Sequence, residues 1–352
     1  MTDSFIPDLS TPLAPRPFES YALVIDARSP REYEEDHIPG AVNLPVVGND
    51  EYAEVGTLHR SDPHAAYLIG VEYSLHNIAA QLKTLIARHG ADERFLVYCF
   101  RGGKRSQLWA NNLRTIGYEV DVIAGGWKRY RAWVRECLAT LPPMLRYRVL
   151  CGPTGCGKTR LLQALAAGGQ QVLDLEALAT HRGSLLGDLP GRPQPTQKTF
   201  DSRVLDALRR LDPSRPVWIE AESKKIGRLQ LPDALVEAMH RAPTVHLDAP
   251  MAERVRLWRD DYPHLAADPV AMVRLLEPLK PLVGGKELEL WQVLARDGQV
   301  DALFERVMVA HYDPCYARST AQSFGPAAEG QHMHLDSLAP DGLAAAAREL
   351  AG

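Results

Sequence analysis

The sequence predicts an α/β fold in two parallel-sheet domains, residues 1–142 and 143–352, the second carrying a helical C-terminal part. Three observations lead there. At 352 residues the chain exceeds what one hydrophobic core usually organises. Short apolar runs alternate with segments of helical periodicity, the pattern of strands joined by crossover helices. Pro142-Pro143 breaks that alternation, and a new strand pattern starts directly after it.

The first dozen residues, rich in Pro, Ser and Thr, read as a loose arm. Tyr21–Asp26 is a short strand that leaves the Asp26 carboxylate at its C-terminal end. Ser29-Pro30-Arg31-Glu32 supplies an N-cap followed by proline, so a helix starts there. His37–Asn43 is a turn entering a short strand, and residues 75–89 are apolar at helical spacing. Phe95–Tyr98 is a strand that delivers Cys99-Phe-Arg-Gly-Gly-Lys-Arg-Ser106. A helix over 105–117 stopped by Gly117, a strand at Val120–Ile123, and a helix from Gly125-Gly126-Trp127 to about Leu141 complete this half.

Parallel sheets hold their sites beyond the carboxyl ends of the strands, where Asp26 and Cys99 fall. A lone cysteine in a reduced compartment usually only fills space. Here Gly102 and Gly103 share one turn with Arg101, Lys104 and Arg105. Backbone amides and cations favour a thiolate over a thiol and attract an anion, so the loop reads as the seat of a nucleophile.

In the second half, Arg146–Cys151 is a strand, and Gly152-Pro-Thr-Gly-Cys-Gly-Lys-Thr159 runs from it into a helix. This is a phosphate loop (P-loop) in the context that the motif requires. Gly152, Thr154, Gly155 and Gly157 let the backbone wrap a diphosphate, Lys158 reaches its terminal group, and Thr159 can hold Mg²⁺. Cys156 is a small spacer. Two short strands, 171–176 and 216–222, end in acids, and Asp174 or Glu220 can orient Mg²⁺ or its water; their plainer reading is as solvated acids.

His181 to Gln197, rich in Gly and Pro, is too long and irregular for a simple connection and reads as a substrate loop. Arg254, Arg256 and Arg259 lie on a predicted helix, Met251–Asp261, that could close over a phosphate, although a solvated face is the plainer reading. From Asp268 the pattern is mainly helical until His311-Tyr-Asp-Pro-Cys-Tyr316, read as a proline turn whose aromatics can stack on a base or an isoprenoid. A strand at 332–335 and a helix at 338–350 close the chain.

Composition excludes several classes. Charged residues at 24% and hydrophobic ones at 45% describe an ordinary globular protein. No apolar run reaches a membrane-spanning length and no signal peptide is visible, so a cytoplasmic protein without membrane contact is expected. Five cysteines without a C-x-x-C pair suggest neither a disulfide framework nor a zinc cage. A formal charge of −4 argues against gripping nucleic acid over the whole surface and leaves room for a local basic face. The candidates are Lys128, Arg129, Arg131 and Arg135, then Lys224, Lys225 and Arg228; alone, each group reads as a solvated face.

Asp26-Ala-Arg28-Ser-Pro-Arg-Glu32-Tyr, His37–Asn43, the Cys99 loop and Gly125-Gly126-Trp127 are similar in order and spacing to the rhodanese domain, over about residues 15–140. The loop is one residue longer than the C-x-x-G-x-R-S of many small rhodaneses. Its C-x5-R spelling resembles that of cysteine phosphatases, which would make Cys99 the nucleophile and Arg105 a phosphate clamp, although Tyr98 stands where those enzymes usually carry His. A rhodanese-like domain followed by a P-loop NTPase-like domain, with His181-Arg-Gly-Ser184, Glu222-Ser-Lys-Lys-Ile-Gly227 and His311–Tyr316, resembles the bacterial tRNA 2-selenouridine synthases over nearly the whole chain.

That resemblance implies a transferase acting on 2-thiouridine at the wobble position of tRNA. It uses geranyl diphosphate to alkylate the sulfur, and selenium from selenophosphate then replaces the S-geranyl group. It implies tRNA as partner through its anticodon region, room for a selenophosphate-supplying enzyme as a second partner, and no tightly bound cofactor, with Mg²⁺ at Thr159 left as the option that the phosphate-loop motif offers. Cys99, Arg101 and Arg105 would handle selenium. Asp26, Asp174, His181, Arg182, Glu220, Glu222, Lys224, Lys225 and Arg254 are secondary candidates. A sulfurtransferase-kinase fusion turning over ATP and a rhodanese-fold phosphatase remain as alternatives.

Overall fold

The computed structural model describes residues 13–84, 86–324 and 330–352. The expected N-terminal arm lies outside them. The chain divides into two compact units, residues 1–139 with 196–209, and residues 140–195 with 210–352. The expected division at 142 is therefore shifted by three residues, and it misses that 196–209 belong to the first unit.

The first unit holds a parallel sheet of β1 (Leu23–Asp26), β2 (Val42–Asn43), β3 (Arg94–Tyr98) and β4 (Glu119–Val122) in the order β2-β1-β3-β4. Asp26 pairs with Tyr98 in register, so β1 and β3 end side by side at the Cys99 loop. Ser29 caps the helix Pro30–Glu35 in a capping box with Glu32, whose carboxylate accepts from the Ser29 amide at 3.0 Å. The helix expected from Leu75 begins earlier, at Pro63, and ends at Thr84; Leu85 lies outside the described residues. A helix at Asn49–Leu58, not expected, packs against it. The core gathers Ile25, Phe95, Val97, Trp109 and Leu113.

The helix Gln197–Leu208 joins this unit through buried polar contacts. Asp36, wholly buried, accepts from the Ser202 hydroxyl at 2.9 Å and the Trp127 indole at 3.0 Å. Arg131 donates to Ser202 and to Asp201, both at 2.9 Å. Arg131 is only 5% exposed, so it leaves the basic face proposed for it and holds this helix instead.

The second unit is built on five parallel strands: β5 (Arg146–Cys151), β6 (Gln171–Leu173), β7 (Pro216–Glu220), β10 (Thr244–Asp248) and β11 (Gln331–His334), ordered β11-β10-β5-β7-β6. A small antiparallel hairpin, β8 (Lys225–Ile226) and β9 (Leu229–Gln230), stands apart from this sheet. The strand expected over 171–176 stops at Leu173, because Asp174 caps a helix, Leu175–Ala179. Helices from Met251 onward enclose a second core around Trp258, Met272, Trp291 and Phe304. The expected proline turn at His311–Tyr316 is helical: a π-helical stretch, Met308–Tyr312, passes into the helix Asp313–Ser323. Pro314 falls in its first turn, where proline's missing N–H costs nothing. No helix among the described residues is long and apolar enough to cross a membrane.

Candidate functional site

In the first unit, the Cys99 carbonyl accepts the Trp127 amide at 2.8 Å, and the Phe100 carbonyl accepts that of Lys128 at 3.0 Å. The loop is thus stitched to the start of the helix Gly126–Thr140. Cys99 is 3% exposed, with Sγ 3.3 Å from the Ser106 hydroxyl in the first turn of the helix Lys104–Ile116. The thiol is also placed to donate to the Gly103 carbonyl, 3.9 Å away.

The expected cations do not all turn to that sulfur. Arg105 interacts electrostatically with Cys99, yet its guanidinium forks onto Glu32 at 2.5 and 3.1 Å. Lys104 sits 3.4 Å from the Tyr67 ring centroid, and the exposed Arg101 lies over Phe100 at 5.8 Å. With its fork occupied, Arg105 is not presented as a phosphate clamp. Asp26 departs from expectation too. Buried and held by Arg28 at 2.6–3.1 Å, it has a structural place beneath the loop.

In the second unit, the Gly152–Gly157 loop leads from β5 into the helix Lys158–Ala167. Lys158 folds back to donate to the Gly152 carbonyl at 2.7 Å, and the Gly152 amide donates to the Tyr316 hydroxyl. Of the three arginines on Met251–Asp261, only Arg254 reaches the loop, and it does so through the backbone. It donates to the Thr154 carbonyl at 2.8 and 3.0 Å and pairs with Asp313 at 2.6 Å. Arg256 and Arg259 pair outward with Glu253 and Asp301.

Beside the loop stand three acids. Glu176, Glu220 and Glu222 each place a carboxylate oxygen within 4.8 Å of the others, and the Thr159 hydroxyl is 3.3 Å from Glu176 Oε2. Burial holds all three carboxyls above the ordinary range, with Lys158 opposing it most strongly at Glu220 and Glu222 and repulsion from Glu220 and Glu222 adding to it at Glu176. Asp174, a candidate beside Glu220 from sequence, is instead committed as an N-cap, accepting the Ala177 amide at 2.8 Å. Glu176 takes the place expected of it. The cue was Asp174-Leu-Glu176 read as cap and first turn rather than as a strand end.

The segment from His181 is irregular, as expected, with isolated bridges His181–Asp188 and Leu189–Arg192. His181 Nδ1 accepts the Gly183 amide at 3.1 Å, and burial lowers this imidazole's pKa, with Asp188 opposing. Arg182 lies over the Tyr262 ring at 4.6 Å and donates to the Asp261 carbonyl. Lys224 pairs with Asp233 at 2.8 Å, and Lys225 is exposed on β8.

The phosphate loop, the three acids and Arg182, Gly183 and Ser184 share one cleft of about 730 Å³. Val236, Tyr262, Tyr312, Tyr316 and Phe324 line it as well, so an anionic group and an apolar chain can be held together there. His311 and Cys315 also reach it, 3.7 Å apart.

Comparison with known proteins matches both halves. Residues 14–132 fit the rhodanese-like domain family, and residues 145–273 fit the tRNA 2-selenouridine synthase AAA domain family. The tRNA 2-selenouridine synthase of Nitrosomonas europaea is 35% identical over 75% of this chain and 69% of its own length. That of Nitrosomonas eutropha is 34% identical over 79% and 73%. That of Cupriavidus necator is 33% identical over 85% and 89%.

Proposed function

The chain belongs to the tRNA 2-selenouridine synthase family, and from that premise we propose that it converts wobble 2-thiouridine of tRNA to 2-selenouridine in two steps. The second unit geranylates the sulfur from geranyl diphosphate; the first directs selenium from selenophosphate to the same base. The observation that carries this reading is the single cleft in which Lys158 and the phosphate loop share walls with Val236, Tyr262 and Phe324. An allylic diphosphate needs that pairing: amides and an ammonium for the diphosphate, an aromatic wall for the hydrocarbon.

In the first step the base sulfur bonds to the allylic carbon as its C–O bond to diphosphate breaks, and the N3 proton leaves the base. Loop amides and Lys158 take up the charge that grows on the departing diphosphate. Alkylation turns a thiocarbonyl sulfur into a displaceable thioether. Selenium then bonds to the pyrimidine carbon, geranylthiolate departs, and water takes the phosphoryl group of selenophosphate to give phosphate. Cys99, beside Ser106 at a helix N-terminus, is suited to guide that selenium. The selenophosphate itself must come from a separate enzyme. All five cysteines are unpaired thiols, in keeping with a cytoplasmic setting.

The test uses 2-thiouridine tRNA with both co-substrates and mass spectrometry of the nucleosides. Lys158→Ala should lose the geranylated product, whereas Cys99→Ala should keep it and lose the selenated one. Equal loss of the geranyl product in both variants would refute the division of labour, and rapid ATP turnover without tRNA would favour the kinase fusion.

A further inference from the structure

We propose that Glu176, Glu220 and Glu222, with the Thr159 hydroxyl, form a divalent-cation site built by the protein itself, which binds Mg²⁺ or Mn²⁺ before any diphosphate arrives. That the ligand arriving later is an allylic diphosphate rests on the function proposed above. The cation site rests on geometry.

The three carboxylates come from separate places, the helix Leu175–Ala179 and the end of β7 with the residues after it, and converge to within 4.8 Å. Glu220 is only 3% exposed, and its Oε1 has no hydrogen-bond partner among the described residues. A buried carboxylate oxygen without a partner is costly, and two neighbouring carboxylates make it costlier. A cation among them removes both costs. The donors are all oxygens, a hard set suited to Mg²⁺ or Mn²⁺ rather than to thiolate-seeking metals.

Ordinary phosphate-loop sites offer Mg²⁺ one or two protein oxygens and rely on the substrate's phosphates for the rest. This cluster offers four oxygen-bearing side chains. Four side chains of the protein's own are enough to seat the cation without the substrate's phosphates, and a cation seated there presents positive charge to an arriving diphosphate.

The substrate loop lies directly on the cluster. Gly183 has φ +68°, and a Cβ there would stand 2.9 Å from Glu176 Oε1 and 3.0 Å from Glu222 Oε1. Only glycine lets the loop backbone close over these acids.

The experiment titrates the full chain with Mn²⁺ alone, without diphosphate, and follows free Mn²⁺ by electron paramagnetic resonance. One equivalent should bind to the wild type, at least tenfold more weakly to Glu220→Gln and to Glu176→Gln, and more weakly to Gly183→Ala. Circular dichroism melts establish that each variant is folded. Mn²⁺ binding that appears only with added inorganic pyrophosphate would overturn the proposal, as would wild-type affinity in the double variant Glu176→Gln/Glu220→Gln. Mn²⁺ bound without pyrophosphate, yet no binding of geranyl diphosphate afterwards, would sustain the cation site and overturn the function proposed above.

Discussion

A Cβ placed on Gly126 would stand 2.1 Å from the carbonyl oxygen of Cys99. The two backbones touch, and φ +57° at Gly126 makes that approach available. Gly126→Ala therefore strains one backbone and pushes away the other. The expected cost is about 1–3 kcal/mol from the conformation, with the clash added. Urea unfolding measures it, and the selenated nucleoside should fall at least tenfold while the geranylated one persists.

Arg254 ties the Thr154 carbonyl to Asp313 from a position 5% exposed. Arg254→Ala leaves a carbonyl and a partly exposed carboxylate without their donor, so about 2 kcal/mol of stability should be lost. Pyrophosphate binding, followed by calorimetry, should weaken with it, because the loop loses its external brace. Arg256→Ala, whose pair lies on the surface, should change neither by more than about 0.5 kcal/mol.

His181 accepts an amide at Nδ1 and must be neutral there to do so. Burial lowers its folded pKa below its unfolded value, so the unfolded chain binds the proton more readily. This contribution to stability is complete above the unfolded value near 6.5 and is lost as pH falls below it toward the folded pKa. Thermal melts between pH 7.5 and 5 should show that loss in the wild type, and a smaller one in His181→Asn.

Arg131 serves Asp36, Asp201 and Ser202 at once from a buried position. Arg131→Ala strands the wholly buried Asp36 carboxylate from its cation, and the first unit should lose about 3–5 kcal/mol in chemical denaturation. Surface Arg129→Ala, as control, should be nearly silent.

Phe324 and Val236 both face the cleft. Val236→Phe narrows it and should raise KM for geranyl diphosphate several-fold more than for dimethylallyl diphosphate. Equal effects on both in steady-state assays would disconnect these residues from chain-length selection.

What the sequence showed well was local chemistry. Ser29-Pro30 capped a helix, Gly117 stopped one, and Gly152–Thr159 joined strand to helix, because each depends only on neighbouring residues. Long-range commitments were hidden. Arg131 carries the residue type of a working site, yet Asp201, 70 residues on, gives it a structural duty. Glu176 looked no more promising than Asp174 until the helix between them turned one into a cap and the other toward Glu220. Helical spacing at Asp313–Ser323 was masked by Pro314, tolerated only because it falls in a first turn.

The helix Gln197–Leu208 completes the unit begun by residues 1–139 after 56 intervening residues of the other unit. During translation the N-terminal sheet therefore emerges with Asp36 and Arg131 still wet, and its last helix is delivered only once the phosphate loop has already left the ribosome. A gene fragment ending at residue 142 would yield a sheet lacking that helix, prone to aggregate. The two halves can evolve as modules only if the exchange carries this insertion along.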